Sequence, residues 1–160
     1  MSRPLLYISG PYTACGGYTV AENIEIAKQF AVRAWERGWA AICPHANTAH
    51  FEDRCALAHN DWLEGDLAII YRLRLGEDAM LMLPGWENSL GADLEREHAI
   101  GRGLDVYYAE AGVPKPGSYS KCIHYHRYED CGQKPIDVCH FTEPMCPPNT
   151  LCPIARRSHR

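Results

Sequence analysis

The sequence predicts an α/β fold: a doubly wound parallel sheet of the Rossmann-like or flavodoxin-like kind, followed by an irregular C-terminal tail rich in cysteine and proline. Short, continuous apolar runs, the pattern of strands buried on both faces, alternate with longer stretches of helical period from Leu5 to Tyr107. Turn-forming glycine and proline stand at the ends of several of these runs. Beyond Ala111 the alternation stops, and Pro114, Pro116, Pro135, Pro144, Pro147, Pro148 and Pro153 leave regular elements little room.

The elements follow in order. Leu5 to Ser9 is a short apolar run closed by Gly10 and Pro11, a buried strand followed by a turn. From Val20 to Arg37 the apolar residues Ile24, Ala27, Phe30, Ala31 and Ala34 recur at three and four, and Gly38 is placed as a helix C-cap. Trp39 to Cys43 reads as the second strand, ended by Pro44. Ala46 to Ala58, rich in His, Asn and Asp without a clean period, is a loop with room for a short helix and within reach of the site. Asp61 to Leu73 is the next helix, Ala79 to Leu83 the third strand, Gly91 to Arg102 a further helix and Leu104 to Tyr107 the fourth strand. Ligands of such a sheet sit at the carboxyl ends of its strands. The expected division is a domain over 1–112 and a tail over 113–160, with no internal repeat.

Bulk properties narrow the function. At 160 residues the chain suits one domain with an appendage. A net charge of -4 and a pI of about 6.0 supply no positive field for a nucleic-acid backbone, so a small molecule is the expected partner. The N-terminal MSRPLLYISG is too short an apolar run for a secretory signal or a membrane span, which makes the expectation a cytoplasmic protein without a membrane partner. The eight cysteines are uneven: Cys15, Cys43 and Cys55 come early, and five crowd the tail. Cys122, Cys131, Cys139 and Cys146, with histidines between them, offer a tetrahedral set for a structural zinc. No CxxC pair occurs and the spacing fits no ribbon or finger, so a disordered or disulfide-prone tail is the alternative.

Three clusters carry potential chemistry. Directly after the third strand, Gly85 to Glu95 places Ser89 and Gly91 where a helix begins, a seat for phosphate, with Glu95 farther along facing the sugar of a bound nucleotide. The plainer alternative makes Ser89 a helix cap and Glu95 a solvated acid. At the end of the first strand, Tyr7 offers a hydroxyl to a carboxylate or sugar, while Ser9, Gly10 and Pro11 allow close approach of a ligand. The third cluster joins Asp61 and Asp66, acids near a leaving base, to His45 and Asn47, which have the chemistry to read base edges. Its alternative is a pair of ordinary acids near a helix N-terminus.

Ser89-x-Gly91-x-x-x-Glu95 after a strand, Tyr7-Ile8-Ser9-Gly10-Pro11 at the start and Gly65-Asp66-Leu67 before that strand together resemble the nucleoside 2-deoxyribosyltransferase-like superfamily, which includes deoxynucleoside 5'-monophosphate N-glycosidases. The resemblance spans Leu5 to Tyr107. It implies a retaining mechanism in which Glu95 attacks the anomeric carbon, Asp66 assists the departing base as acid or orienter, and Tyr7 steers Glu95. The segment Ile70 to Glu77 is a few residues longer than the family pattern, which keeps Asp61 as the alternative to Asp66. In the family's transferases the position of Ser89 is typically acidic, and in its monophosphate hydrolases it is serine; an acid there would repel a phosphate dianion. The resemblance therefore implies hydrolysis of a deoxynucleoside 5'-monophosphate without a catalytic cofactor, by a homo-oligomer whose subunits complete one another's pockets. Base exchange between nucleosides is the near alternative, and a nucleotide-binding sensor without turnover or a zinc-dependent interaction module the more distant ones.

Overall fold

The computed structural model describes residues 3–14 and 17–117, all within a unit that spans Met1–Ser120. The zinc candidates Cys122, Cys131, Cys139 and Cys146, and most of the expected tail, lie outside the described residues.

Four strands form one parallel sheet in the order β2-β1-β3-β4: β1 (Leu5–Ser9), β2 (Ala40–Ile42), β3 (Ala79–Met82) and β4 (Asp105–Tyr108). β1 is central, with Leu5 beside Ala40 on one edge and Leu6 beside Ala79 on the other. The helices are α1 (Val20–Glu36), α2 (Pro44–Asn47), α3 (His59–Ile70) and α4 (Leu90–Arg102). Because strand side chains alternate between faces, β1 feeds two cores. Leu6 and Ile8 join Leu81, Ala27 and Ala34 on the α1 side; Tyr7 joins Met80, Met82, Ala92 and Ala99 on the α4 side. This is the doubly wound α/β arrangement the sequence predicts.

Several boundaries differ from the expected ones, each for a local reason. β2 is shorter because Trp39 N-H donates to the Ala34 carbonyl as the chain leaves α1, and because Cys43 is already the N-cap of α2, its carbonyl accepting from Ala46 and Asn47. Arg37 is the C-cap of α1, and Gly38 follows at φ 101°, a conformation open to glycine. α3 begins before Asp61, whose carboxylate accepts from Ala58 N-H at 2.7 Å and so sits inside the first turn. It ends at Ile70, where Arg102 donates to the carbonyls of Ile70 and Leu73 and fixes the turn that follows. The loop after β2 contains α2 and a 3-10 turn over Phe51–Asp53.

Asp78 ties the start of the sheet together. Its carboxylate, 1 % exposed, accepts from Leu5 N-H at 2.8 Å and Arg74 N-H at 2.7 Å, and pairs with the Arg74 guanidinium at 3.3 Å. At the opposite end Gly10 lets β1 and β3 exit side by side, since a Cβ there would stand 2.7 Å from Leu83 Cβ. Among the described residues no helix is long and apolar enough to cross a membrane.

Candidate active site

Ser89 opens α4: its hydroxyl accepts from Ala92 N-H at 3.3 Å, satisfying one of the helix's first amides. With the start set there, Ala92, Glu95 and Ala99 fall on the buried face at three- and four-residue intervals and pack on the sheet. A carboxylate thereby enters a core face: Glu95 is 8 % exposed. Tyr7 and Ser9, two apart on β1, point to that same face. Tyr7 Oη donates to Glu95 Oε1 at 3.0 Å, and Ser9 Oγ donates to Oε2 at 2.6 Å. Asp66 approaches from α3, near enough to the Tyr7 hydroxyl for that group to stabilise its charge.

Burial governs the electrostatics. Burial pushes the Glu95 carboxyl up to about 7, and the negative charge of Asp66 adds to the rise against the opposing hydrogen bonds from Ser9 and Tyr7. Burial also raises Asp66, to about 6, with the Tyr7 hydroxyl holding it down. The Tyr7 phenol is pushed well above its usual range by burial and by the two neighbouring carboxyls, so it stays neutral. Two acids that titrate near neutrality, beside a phenol that stays neutral, form an arrangement suited to proton transfer and to nucleophilic attack.

The structure thus brings together Tyr7, Ser9, Asp66 and Glu95, and distributes the other candidates around them. Ser9, expected to face the ligand, is 1 % exposed and bonded to Glu95 instead. Gly10 is explained by its packing on Leu83. His45 is buried, with Nε2 against the Pro11 carbonyl at 2.9 Å, where it braces the loop after β1, and with Nδ1 lacking a hydrogen-bond partner among the described residues. Burial, opposed by contacts to the Pro11 and Gly10 backbone, lowers its pKa and keeps it neutral. Asn47 is exposed at the end of α2, and Asp61 is exposed and bonded to Ala58, which leaves Asp66 as the acid that reaches Tyr7. Gly91 lies in the first turn of α4 with open space where a side chain would project.

One group near the site escaped the sequence reading. Arg96, next to Glu95, lies over the Trp86 ring at 4.6 Å and donates to Tyr108 Oη at 2.8 Å. It fastens the loop before Ser89 to β4. The signal was weak, a single Arg with aromatics ten residues before and twelve after it. A separate pocket of about 240 Å³ opens at the carboxyl ends of β1 and β3, lined by Pro11, Asn23, Ile26, Leu83, Gly85 and Asn88 among others. None of the four clustered residues lines it. Among the described residues no group of three or more His, Cys, Asp or Glu is placed to hold a metal ion.

Residues 4–108 match the family described as Domain of unknown function (DUF4406). The chain belongs to this family. The DUF4406 span holds all four strands and the whole Tyr7-Ser9-Asp66-Glu95 cluster, and it stops before the cysteine-rich tail. No curated protein and no solved structure matches the chain.

Proposed function

We propose that this DUF4406 domain cleaves the N-glycosidic bond of a deoxynucleoside 5'-monophosphate, with Glu95 as the attacking carboxylate. The observation that carries this reading is the buried Glu95, gripped through both oxygens by Tyr7 and Ser9 beside a second acid, at the strand ends where α/β sheets bind ligands. A solvated helix acid needs no such surroundings. The open first turn of α4 at Gly91, capped by Ser89, supports a seat for the 5'-phosphate.

Glu95 holds its proton to a higher pH than Asp66, about 7 against about 6. Attack requires the reverse distribution: an ionised Glu95, and a protonated Asp66 to assist the departing base. The Tyr7 hydroxyl connects the two. By passing its proton to Asp66 while receiving that of Glu95, it arms nucleophile and acid together. Because both carboxyls titrate near neutrality, that exchange costs little beside a glycosidic barrier. Glu95 then bonds to the anomeric carbon as the C-N bond breaks, and the base leaves with the proton from Asp66. Water attacks the glycosyl ester, returning a proton to Asp66 and freeing the Glu95 carboxylate.

The test is base release from a panel of deoxynucleosides and their 5'-monophosphates, read by chromatography, for wild type and Glu95→Gln. The expected result is release from monophosphates by wild type and a loss of at least about a thousandfold in the variant. Absence of release across the panel, or equal release by both proteins, refutes the reading. Capture of the sugar by an added free base would assign base exchange in place of hydrolysis.

A further inference from the structure

We propose that Ser9 is a positioning residue for Glu95, holding Oε2 so that the carboxylate stays ionisable and correctly turned within the core. The catalytic consequence rests on the reading of Glu95 given above, whereas the effect of Ser9 on the carboxyl group does not.

Four observations converge. The Ser9 Oγ to Glu95 Oε2 distance of 2.6 Å is at the short end for a hydroxyl donor and typical of a bond to a charged acceptor. Ser9 is 1 % exposed, so its hydroxyl acts on whatever enters the site only through Glu95. Its backbone is pinned: it is the last residue of β1, paired with Met82, and its carbonyl accepts from Leu83 N-H at 2.8 Å. The donor is therefore fixed before any ligand arrives. Finally, Glu95 belongs to none of the ion pairs among the described residues, and the two hydroxyls of β1 are the donors that offset its burial. The titratable groups that face it are Tyr7 from β1 and Asp66 from α3, while Asp93 and Arg96 on its own helix approach each other at 3.7 Å.

Tyr7 and Ser9 divide the work. Tyr7 bonds Glu95 and lies near Asp66, the place of a proton relay in the proposed reaction; Ser9 bonds Glu95 and opposes its reprotonation. An alanine at position 9 would keep the strand and the packing but leave Oε2 without its donor in a buried site.

The experiment titrates the full chain, with ¹³C-labelled glutamate side chains, by NMR in wild type, Ser9→Ala and Ser9→Cys. Glu95→Gln identifies the Glu95 signal by its disappearance. The expected result is a rise in the Glu95 pKa of about one to two units in Ser9→Ala. Ser9→Cys, a near-isostere with a weaker donor, should rise less. In the base-release assay the acidic limb of kcat moves to higher pH by the same interval, with KM little changed. A Glu95 titration unmoved in Ser9→Ala, even with a lower melting temperature, overturns the proposal and leaves Ser9 a packing residue. If no protein, wild type included, releases base, the titration still decides the role of Ser9, and the glycosidase reading alone falls.

Discussion

Replacing Glu95 with glutamine should stabilise the protein, and more so the higher the pH. Glu95 ionises near 4.5 in an unfolded chain and near 7 in the fold, where burial is the main cause of the rise. An acid raised in this way contributes stability that is complete below the unfolded value and disappears as pH climbs through the folded one. The window is thus pH 4.5 to 7, and the full difference of 2.5 units corresponds to about 3 kcal/mol that wild type gives up in alkali. Glutamine cannot ionise. It retains the shape of the protonated acid: its oxygen accepts from Tyr7, and its amide donates to a Ser9 hydroxyl that turns to accept. Urea unfolding of both proteins at about pH 5 and about pH 8.5 should show a gap that widens by about 2–3 kcal/mol toward alkali. A gap that stays constant, or that narrows, would refute the claim that Glu95 ionises against its surroundings. A widening gap would show a site that trades stability for a reactive carboxylate.

Two further substitutions probe the frame that holds the site. Gly10→Ala places a methyl 2.7 Å from Leu83 Cβ, an atom attached directly to the backbone and so unable to swing aside, and should cost about 1–3 kcal/mol by denaturant unfolding; a neutral result would mean the strand exits separate freely. Asp78→Ala strands the amides of Leu5 and Arg74 and should cost about 2–4 kcal/mol. Burial alone would raise the Asp78 carboxyl, but the two amides and the Arg74 guanidinium win and lower it, so its contribution is present above the unfolded pKa and is lost as pH falls through the folded value. Asp78→Ala should accordingly flatten the acid side of the stability profile, and an unchanged acid limb would dismiss this role.

The sheet was legible because its signal is compositional. Leu5–Ser9 is found as read, and the buried β3 strand differs from its expected end by one residue. Helix ends were less legible where the cap uses backbone or a neighbour's side chain. Ala58 carries no side-chain cap, so the sequence signal starts α3 at Asp61, the residue that reaches back to Ala58, whereas the helix begins at His59. For the site, spacing alone favoured plain structural roles, and it was the family resemblance of the three clusters that marked Glu95, Tyr7 and Asp66. The resemblance put Asp66 ahead of Asp61 with Asp61 kept as the alternative; the two lie five residues apart on one helix and differ in what faces them across the fold, which the sequence does not show. Ser9 shows the other limit: a small polar residue at a strand end looks like a ligand contact until the facing helix is in view.

The central place of β1 also sets an order of events during synthesis. Tyr7 is made 88 residues before Glu95, and Ser9 86 residues before it. At about 5–20 residues per second, these hydroxyls wait roughly 4–17 seconds for the carboxylate they will hold. β1 meanwhile has β2 to pair with but not β3, so an apolar strand keeps one bare edge until most of the domain has emerged from the ribosome. The nascent chain is therefore most exposed to pairing with its neighbours just before its site can form.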